Sequence, residues 1–143
     1  DGLIIVDLIW PYNKKFANLC KKKSVCFVQL IAPTTTNQRM TRIIKDSHSM
    51  IYYISMLSTT GGKLKVTPKN IIKKFNKIKK INKSKNVVIG FGITDKTISS
   101  LKKADGLVVG SALVKTITDS LNQKRNPLIA AERMVKKLKA KII

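Results

Sequence analysis

Acidic residues are scarce in this chain of 143 residues: 7 Asp and Glu stand against 29 Lys and Arg, which gives a formal net charge of +22. Cysteine is also rare, and 2 thiols do not make a disulfide framework. The single histidine, His48, belongs to no cluster of His, Cys, Asp and Glu at metal-ligand spacing. The composition therefore excludes a disulfide-rich scaffold and predicts that the chain binds no metal.

Long hydrophobic runs are absent as well. No stretch of about 18 apolar residues occurs, so the sequence predicts no membrane-spanning helix, and no basic-then-apolar leader predicts a signal peptide. The chain starts at Asp1 rather than at Met, and its first residues already read as the inside of a strand. We therefore expect a segment of a longer chain, with residues 1–143 forming a single domain.

The positive charge is compatible with a nucleic-acid-binding protein, because basic side chains neutralise phosphates. Arginine, whose fork suits base edges, is rare: its only positions are Arg39, Arg42, Arg125 and Arg133. The lysines do not alternate with aromatic residues, as binding of single strands requires. Lys, Ile and Asn are enriched together, which is the bias of A+T-rich codons. We expect no nucleic-acid partner. A Lys-rich nucleic-acid-binding protein is the alternative, and DNA retention that depends steeply on salt concentration would favour it.

Short apolar runs recur along the chain, and each is followed by a helical or polar stretch. They lie at residues 3–6, 25–30, 50–54, 87–89 and 107–109. Their near-continuous Ile, Val and Leu content is typical of strands buried on both faces of a parallel sheet. The alternation predicts an α/β fold of βαβ units. At this level an open doubly wound sheet and a barrel are both compatible with the pattern.

Two helix starts consist of an N-cap residue followed by proline, at Thr67-Pro68 and at Asn126-Pro127. Each precedes apolar residues at helical spacing, which predicts an amphipathic helix with its lysines in water. The first stripe is Ile71, Ile72, Phe75, Ile78 and Ile81, and the second is Leu128, Ala131, Val135, Leu138 and Ile142. Weaker helices are predicted at residues 11–21, 36–45 and 94–102.

Glycines end two consecutive predicted strands, in Gly90-Phe91-Gly92-Ile93 and in Gly110-Ser111-Ala112. Glycine lets the backbone approach a ligand closely, and free N–H groups at a helix start favour an anion. Barrels with eight βα units commonly build a phosphate site after their last two strands. The pair therefore predicts a phosphate cup, although tight βα turns are the simpler explanation of each glycine. The segment 55–66, which contains the polar run 58–62, predicts a lid, with a plain surface loop as the alternative.

Together these segments resemble the tryptophan synthase alpha family, and the resemblance covers nearly the whole chain. The matching pieces are Asp1-Gly2-Leu3-Ile4-Ile5-Val6-Asp7-Leu8, Leu30-Ile31-Ala32-Pro33-Thr34-Thr35, Ile51-Tyr52-Tyr53-Ile54-Ser55, Thr60-Gly61, Gly90-Phe91-Gly92-Ile93 and Gly110-Ser111-Ala112-Leu113-Val114. The resemblance implies a partial TIM (β/α)8 barrel, with about five parallel strands that correspond to strands four to eight. Another phosphate-binding barrel is the alternative within the same class.

The resemblance also implies roles for individual residues. The phosphate of indole-3-glycerol phosphate would be held by Gly61, Gly92, Gly110 and Ser111. The indole ring would be lined by Phe91, Tyr53 and Ile31, and apolar walls of this kind suit an aromatic ligand. Thr60 would support a catalytic carboxylate from the lid. Ser58 stands where the family usually has glycine, so the hinge of that lid would be stiffer.

The implied reaction is that of a lyase in tryptophan biosynthesis, the retro-aldol cleavage of indole-3-glycerol phosphate to indole and glyceraldehyde 3-phosphate. Such general acid–base chemistry needs two positioned carboxyl groups. In the family both lie in the first third of the chain, and none of the 7 acidic residues here matches those positions. We therefore expect no catalytic residue in this segment and no turnover by the segment alone.

The resemblance implies a cytoplasmic protein. The implied partner is the tryptophan synthase beta chain, which carries pyridoxal phosphate and receives indole in an α2β2 tetramer. The alpha segment itself is expected to need no cofactor. Asp7 and Trp10 would face the partner, although Ile9 stands where the family usually has proline. Turn capping by Asp7 and packing of Trp10 on a helix are the local alternatives. A non-catalytic scaffold that activates the beta chain is the alternative function.

Overall fold

A computed structural model of the chain describes residues 1–48, 50–55 and 67–143. Within these ranges the strands form a parallel pair and a four-stranded parallel sheet. The pair joins β1 (Gly2–Leu3) to β2 (Cys26–Phe27). The sheet has the order β3-β4-β5-β6, with β3 at Gln29–Ile31, β4 at Met50–Ile54, β5 at Asn86–Gly90 and β6 at Gly106–Val108.

Helices alternate with the strands in the described part of the chain. This is the α/β fold that the apolar runs predicted. The helices are α1 (Lys14–Lys22), α2 (Asn37–Asp46), α3 (Pro68–Ile81), a short 3-10 helix (Ile98–Leu101), α4 (Ser111–Asn122) and α5 (Pro127–Lys139). Strands of the sheet that follow one another in the chain are also neighbours in space. Parallel neighbours of this kind end at the same edge of the sheet.

The helix start at Thr67 is confirmed. Its side chain accepts a hydrogen bond from the Asn70 N–H, at 3.3 Å, so one free donor of the first turn is satisfied. From the stripe that follows, Ile71, Phe75 and Ile78 are buried against the sheet. The 3.6-residue period of the helix puts these side chains on one face and leaves most of the lysines of α3 in water.

The second start is also confirmed, because the Asn126 side chain accepts from the N–H groups of Leu128 and Ile129. Its predicted stripe is only partly correct. Leu138 is buried, whereas Leu128 is 78% exposed and Val135 is 50% exposed. Helix α5 packs on α4 beyond the last strand, so only its C-terminal part reaches the core.

The core lies between the sheet and α2 and α3, with α5 adding Leu138. Side chains of a strand alternate between its two faces, so residues two apart enter the same layer. In β4 the buried positions are Ile51 and Tyr53, and in β5 they include Val87 and Ile89. Tyr52 lies between the two buried positions of β4 and therefore points to the other face of the sheet.

Two predicted elements differ from the structure, and one helix was not predicted. The run at residues 25–30 is divided at Val28, because β2 pairs with β1 whereas β3 pairs with β4. Of the helix predicted at 94–102, only the 3-10 helix forms, since the Thr97 hydroxyl accepts from the Thr94 N–H at 2.9 Å and closes a turn. Helix α4 carries no strong start signal beyond Gly110, and the sequence pattern did not predict it.

Asp46, the last residue of α2, connects that helix to the segment before α1. Its carboxylate accepts from the Trp10 indole N–H at 2.6 Å and pairs with the Lys14 ammonium at 2.9 Å. The hydrogen bond from Trp10, followed by that from Lys14, lowers the pKa of Asp46 below its usual value of 3.8. The ionised carboxylate is therefore stabilised more in the folded chain than in the unfolded chain.

This contact predicts an acid-dependent loss of stability. A carboxyl group whose pKa is lower in the folded chain than in the unfolded chain stabilises the fold at pH values above its unfolded pKa. This stabilisation disappears as the pH falls through the pKa of the folded chain. We expect Asp46→Asn to lower the melting temperature near neutral pH, and this deficit to disappear in acid as the pH falls through the lowered folded pKa of Asp46. Asp119→Asn is the control, because its pair with Lys115 is an exposed i,i+4 contact. An Asp46→Asn deficit that is equal at neutral and at acid pH would contradict the assignment.

Candidate phosphate-binding site

The two glycine-containing strand ends lie side by side. Strands β5 and β6 are parallel neighbours, and their register pairs Gly90 with Val108. The chain therefore leaves both strands at one edge of the sheet, through Phe91-Gly92 on one side and Gly110-Ser111 on the other. The structure brings together the segments that the sequence predicted to converge.

The turn after β5 has an unusual backbone. Phe91 and Gly92 both have positive φ, at 69° and 70°. Glycine adopts this conformation freely, but a residue with a Cβ atom does so at a cost in energy. The Thr97 hydroxyl donates to the Gly92 carbonyl at 3.0 Å and so holds the far end of the turn. Thr97 carries no sequence signal that predicts this contact.

Helix α4 begins where β6 ends and directs its N-terminus at the same place. Gly110 is the N-cap and offers no side-chain hydrogen bond, while its carbonyl accepts from Leu113 at 2.9 Å. The N–H groups of Ser111 and Ala112 precede the first bond within the helix. Because these groups carry the positive end of the helix dipole, they form a ready site for an anion.

A cavity of about 270 Å³ lies between the turn and the helix start. We call it the cup; its lining residues are Tyr52, Phe91, Gly92, Ile93, Thr94, Val108, Gly110, Ser111 and Ala112. None of these side chains carries a charge. An anion in the cup would therefore be held by backbone N–H groups, hydroxyls and the helix dipole rather than by an ammonium or guanidinium group.

One wall of the cup is aromatic. The rings of Tyr52 and Phe91 meet edge to face, with centroids 6.3 Å apart and planes at 86°. Phe91 is 54% exposed, so much of its ring is open to a ligand. Partial burial raises the pKa of the Tyr52 phenol above its usual value. A planar apolar group could lie against this wall while an attached anion occupies the cup.

Comparison with known proteins gives the family. The family model of the tryptophan synthase alpha chain matches residues 1–143. A tryptophan synthase alpha chain from Pelagibacter ubique (strain HTCC1062) is 63% identical over 142 residues, which are 99% of this chain and 54% of that relative. This chain belongs to the tryptophan synthase alpha chain family. An alpha chain from Coxiella burnetii (strain CbuK_Q154) is 34% identical over 125 residues, 86% of this chain and 48% of its own length.

Solved structures of tryptophan synthase alpha chains have the same fold. The alpha subunit from Legionella pneumophila str. Paris superimposes with a TM-score of 0.82 at 26% identity, over 99% of this chain and 52% of that chain. A chain of the tryptophan synthase α2β2 complex from Pyrococcus furiosus gives 0.73 at 30% identity, over 99% and 55%. The predicted partial (β/α)8 barrel is confirmed, and the chain spans about half the length of the curated relatives it matches.

Among the site residues implied by the resemblance to tryptophan synthase alpha chains, Gly92, Gly110, Ser111 and Phe91 line the cup. Ile31 and Tyr53 do not, and this corrects the predicted indole wall. They are 0% and 1% exposed in the core beneath the helices, and burial raises the pKa of Tyr53 to about 12. The tyrosine of β4 that lines the cup is Tyr52, one position earlier. The period-2 alternation of a strand was the signal that could have identified it.

The two residues predicted to face a partner differ in their surroundings. Asp7 is exposed. Trp10 is half-buried against the core, and its indole N–H is bound by Asp46. Its backbone carbonyl also accepts from the Arg39 guanidinium at 2.7 Å. The structure therefore favours the packing alternative for Trp10, and the outward-facing role remains a prediction for Asp7.

Thr60 and Gly61 lie outside the described residues, as does the predicted lid beyond Ser55. Across residues 1–48, 50–55 and 67–143, no three His, Cys, Asp or Glu side chains come together as a metal site would require. In the same ranges, no helix combines the length and the apolar character needed to cross a bilayer.

Proposed function

We propose that this chain supplies the phosphate-binding and indole-binding part of a tryptophan synthase alpha site. The substrate would be indole-3-glycerol phosphate, which the complete site cleaves to indole and glyceraldehyde 3-phosphate. The observation that carries the proposal is the convergence of Gly92 and of Gly110-Ser111 at neighbouring strand ends, with the N-terminus of α4 directed between them. Membership in the tryptophan synthase alpha family supports the choice of substrate.

The proposed role of the cup is to bind and orient. The N–H groups at the start of α4 and at the Phe91-Gly92 turn would hold the phosphate dianion, because a low-dielectric recess strengthens such bonds. The rings of Tyr52 and Phe91 would support the indole and exclude water from one of its sides. Fixing both ends of the substrate holds the glycerol carbons between them in one place, which is the contribution of positioning to catalysis.

The acid–base step would need groups that this cup does not contain. No carboxyl group lies among its lining residues. Asp95, the acidic residue nearest along the chain, pairs instead with Lys137 at 3.2 Å and with Lys141 at 2.8 Å. The two carboxyls that the family reaction uses would come from the part of the relatives' length that this chain does not match. We therefore propose that the chain by itself binds the phosphate group of the substrate but does not cleave the substrate.

The proposed partner is a tryptophan synthase beta chain, with pyridoxal phosphate held by that chain. The Pyrococcus furiosus structure is an α2β2 complex in which mutual activation is described. For this chain the resemblance supports docking through the edge of the barrel at which the strands end, near Asp7. No cofactor is proposed for the alpha segment itself.

The proposal predicts a local response to inorganic phosphate. We expect a saturable shift of the backbone amide resonances of Phe91, Gly92, Ser111 and Ala112 in NMR titrations. Because the net charge is +22, the titration should be run at constant ionic strength near 0.15 M, where charges more than about 8 Å apart are screened. Chloride at the same ionic strength is the control. Shifts that spread over the lysines of α3 and spare the cup would overturn the proposal.

A further inference from the structure

Ser55 is a buried polar residue directly beyond the end of β4. It is 0% exposed, and it lies beside the last residue of β5, Gly90. Its backbone N–H donates to the Gly90 carbonyl at 3.0 Å, which extends the β4–β5 ladder by one bond. Nothing in the reaction described above uses its side chain.

The Ser55 hydroxyl contacts two carbonyl groups of the turn that forms the cup. Its Oγ lies 2.6 Å from the Gly90 oxygen and 2.7 Å from the Phe91 oxygen. A hydroxyl has one proton to donate. That proton is therefore shared between two successive carbonyls, which must both face Ser55 for the contact to exist.

The direction of these carbonyls determines the direction of the amides that follow. In a planar trans peptide the C=O and the next N–H point in opposite directions. With the Gly90 and Phe91 carbonyls turned toward Ser55, the N–H groups of Phe91 and Gly92 point away from it. Both residues line the cup, and a run of N–H groups on one side of a turn makes a concave site for an anion.

The same contact stabilises an otherwise unfavourable backbone. Phe91 has a φ of 69°, in the left-handed region that a residue with a Cβ atom rarely occupies. Such conformations persist where the surroundings hold them. The Ser55 hydroxyl holds the Phe91 conformation through the carbonyls of Gly90 and Phe91, and the Thr97 hydroxyl binds the next carbonyl, that of Gly92.

We propose that Ser55 is a positioning residue for phosphate: its hydroxyl orients the Gly90 and Phe91 carbonyls so that the next two amides face the ligand. The inference rests on the proposed phosphate-binding function. Ser55 itself does not contact the ligand. Its removal should therefore weaken phosphate binding through the turn, beyond any effect on the stability of the fold.

The test is a comparison of Ser55→Ala with Ser47→Ala, using inorganic phosphate and the full chain. Ser47 is a matched control because it is also buried, at 5% exposure, and its Oγ donates to the Ile44 carbonyl at 2.8 Å, at the end of α2. Each substitution removes a buried hydroxyl-to-carbonyl bond. We expect Ser55→Ala to weaken phosphate binding about three- to tenfold, and Ser47→Ala to leave the dissociation constant unchanged even if both lower the melting temperature.

A second variant, Ser55→Cys, keeps the test decisive if Ser55→Ala does not fold. A thiol is a weaker donor than a hydroxyl, so we expect an intermediate loss of affinity. Phosphate binding that is unchanged in the folded Ser55 variants, while the unmodified chain binds, would overturn the positioning role alone. An equal loss in Ser47→Ala would reduce the effect to general stability and would also overturn it. Failure of the unmodified chain to bind phosphate would remove both this role and the proposed function.

Discussion

Replacing Gly90 by alanine is expected to lower the free energy of unfolding by about 1–3 kcal/mol, the usual effect of forcing extra atoms into a packed site. A Cβ atom at Gly90 would overlap the hydroxyl and the ring of Tyr52. The tyrosine would have to move, and its edge-to-face contact with Phe91 would be lost. Unfolding in denaturant would measure the loss, and the near-ultraviolet dichroism of the tyrosines would report the displaced ring.

The chain offers a control and a rescue for this substitution. A Cβ atom at Gly110 meets no described atom within 4 Å, so Gly110→Ala should lose less than about 1 kcal/mol, chiefly because alanine is a poorer N-cap. In a Tyr52→Ala background the overlap disappears, and Gly90→Ala should lose little. A coupling energy of about 0.5–3 kcal/mol would then link the two positions. Strictly additive effects would show that Tyr52 does not occupy the space above Gly90.

Placing a negative charge at Ala112 is expected to weaken phosphate binding strongly without unfolding the chain. Ala112 lines the cup in the first turn of α4, a turn that contains no acidic residue. An aspartate there would repel a phosphate by about 4 kcal/mol at 4 Å if the effective dielectric constant is near 20. The same carboxylate would interact favourably with the helix dipole, by about 0.3–1 kcal/mol. The phosphate affinity measured by titration should therefore fall, whereas the melting temperature measured by thermal unfolding should rise.

Ala112→Asn is the matched control, because it has nearly the same shape as aspartate and no charge. We expect it to retain most of the phosphate affinity, whereas Ala112→Asp should lose at least about tenfold, equivalent to about 1.4 kcal/mol. If both variants bind phosphate equally well, the ligand does not reach the N-terminus of α4. The cup would then have to be reassigned.

Local sequence signals predicted the elements that depend on short-range chemistry. The N-caps at Thr67 and Asn126 accept the expected backbone bonds, because a capping side chain acts on N–H groups two or three residues away. The apolar runs predicted the strands of the main sheet for a similar reason, since burial on both faces leaves little room for polar residues. The glycines of the cup could be located in the same way.

The pairing of distant strands determines two features that the sequence pattern left open or predicted wrongly. The run at residues 25–30 gives no indication that its halves pair with different strands, and the division at Val28 is visible only in the pairing of β2 with β1 and of β3 with β4. Adjacent tyrosines in β4 look alike in the sequence, yet one is buried beneath the helices and the other lines the cup. The face assigned to each depends on which side of the sheet α2 and α3 occupy.

The amino-acid sequence alone predicted an α/β chain with two glycine-rich strand ends and a family resemblance that the comparisons confirmed, because these features depend on local composition and spacing. Only the folded chain shows that both strand ends share one edge of the sheet, that Tyr52 rather than Tyr53 lines the cup, and that Ser55 contacts the turn 35 and 36 residues away. These contacts arise only when parallel strands come into register, since the pairing of the strands brings residues that are far apart in the chain side by side.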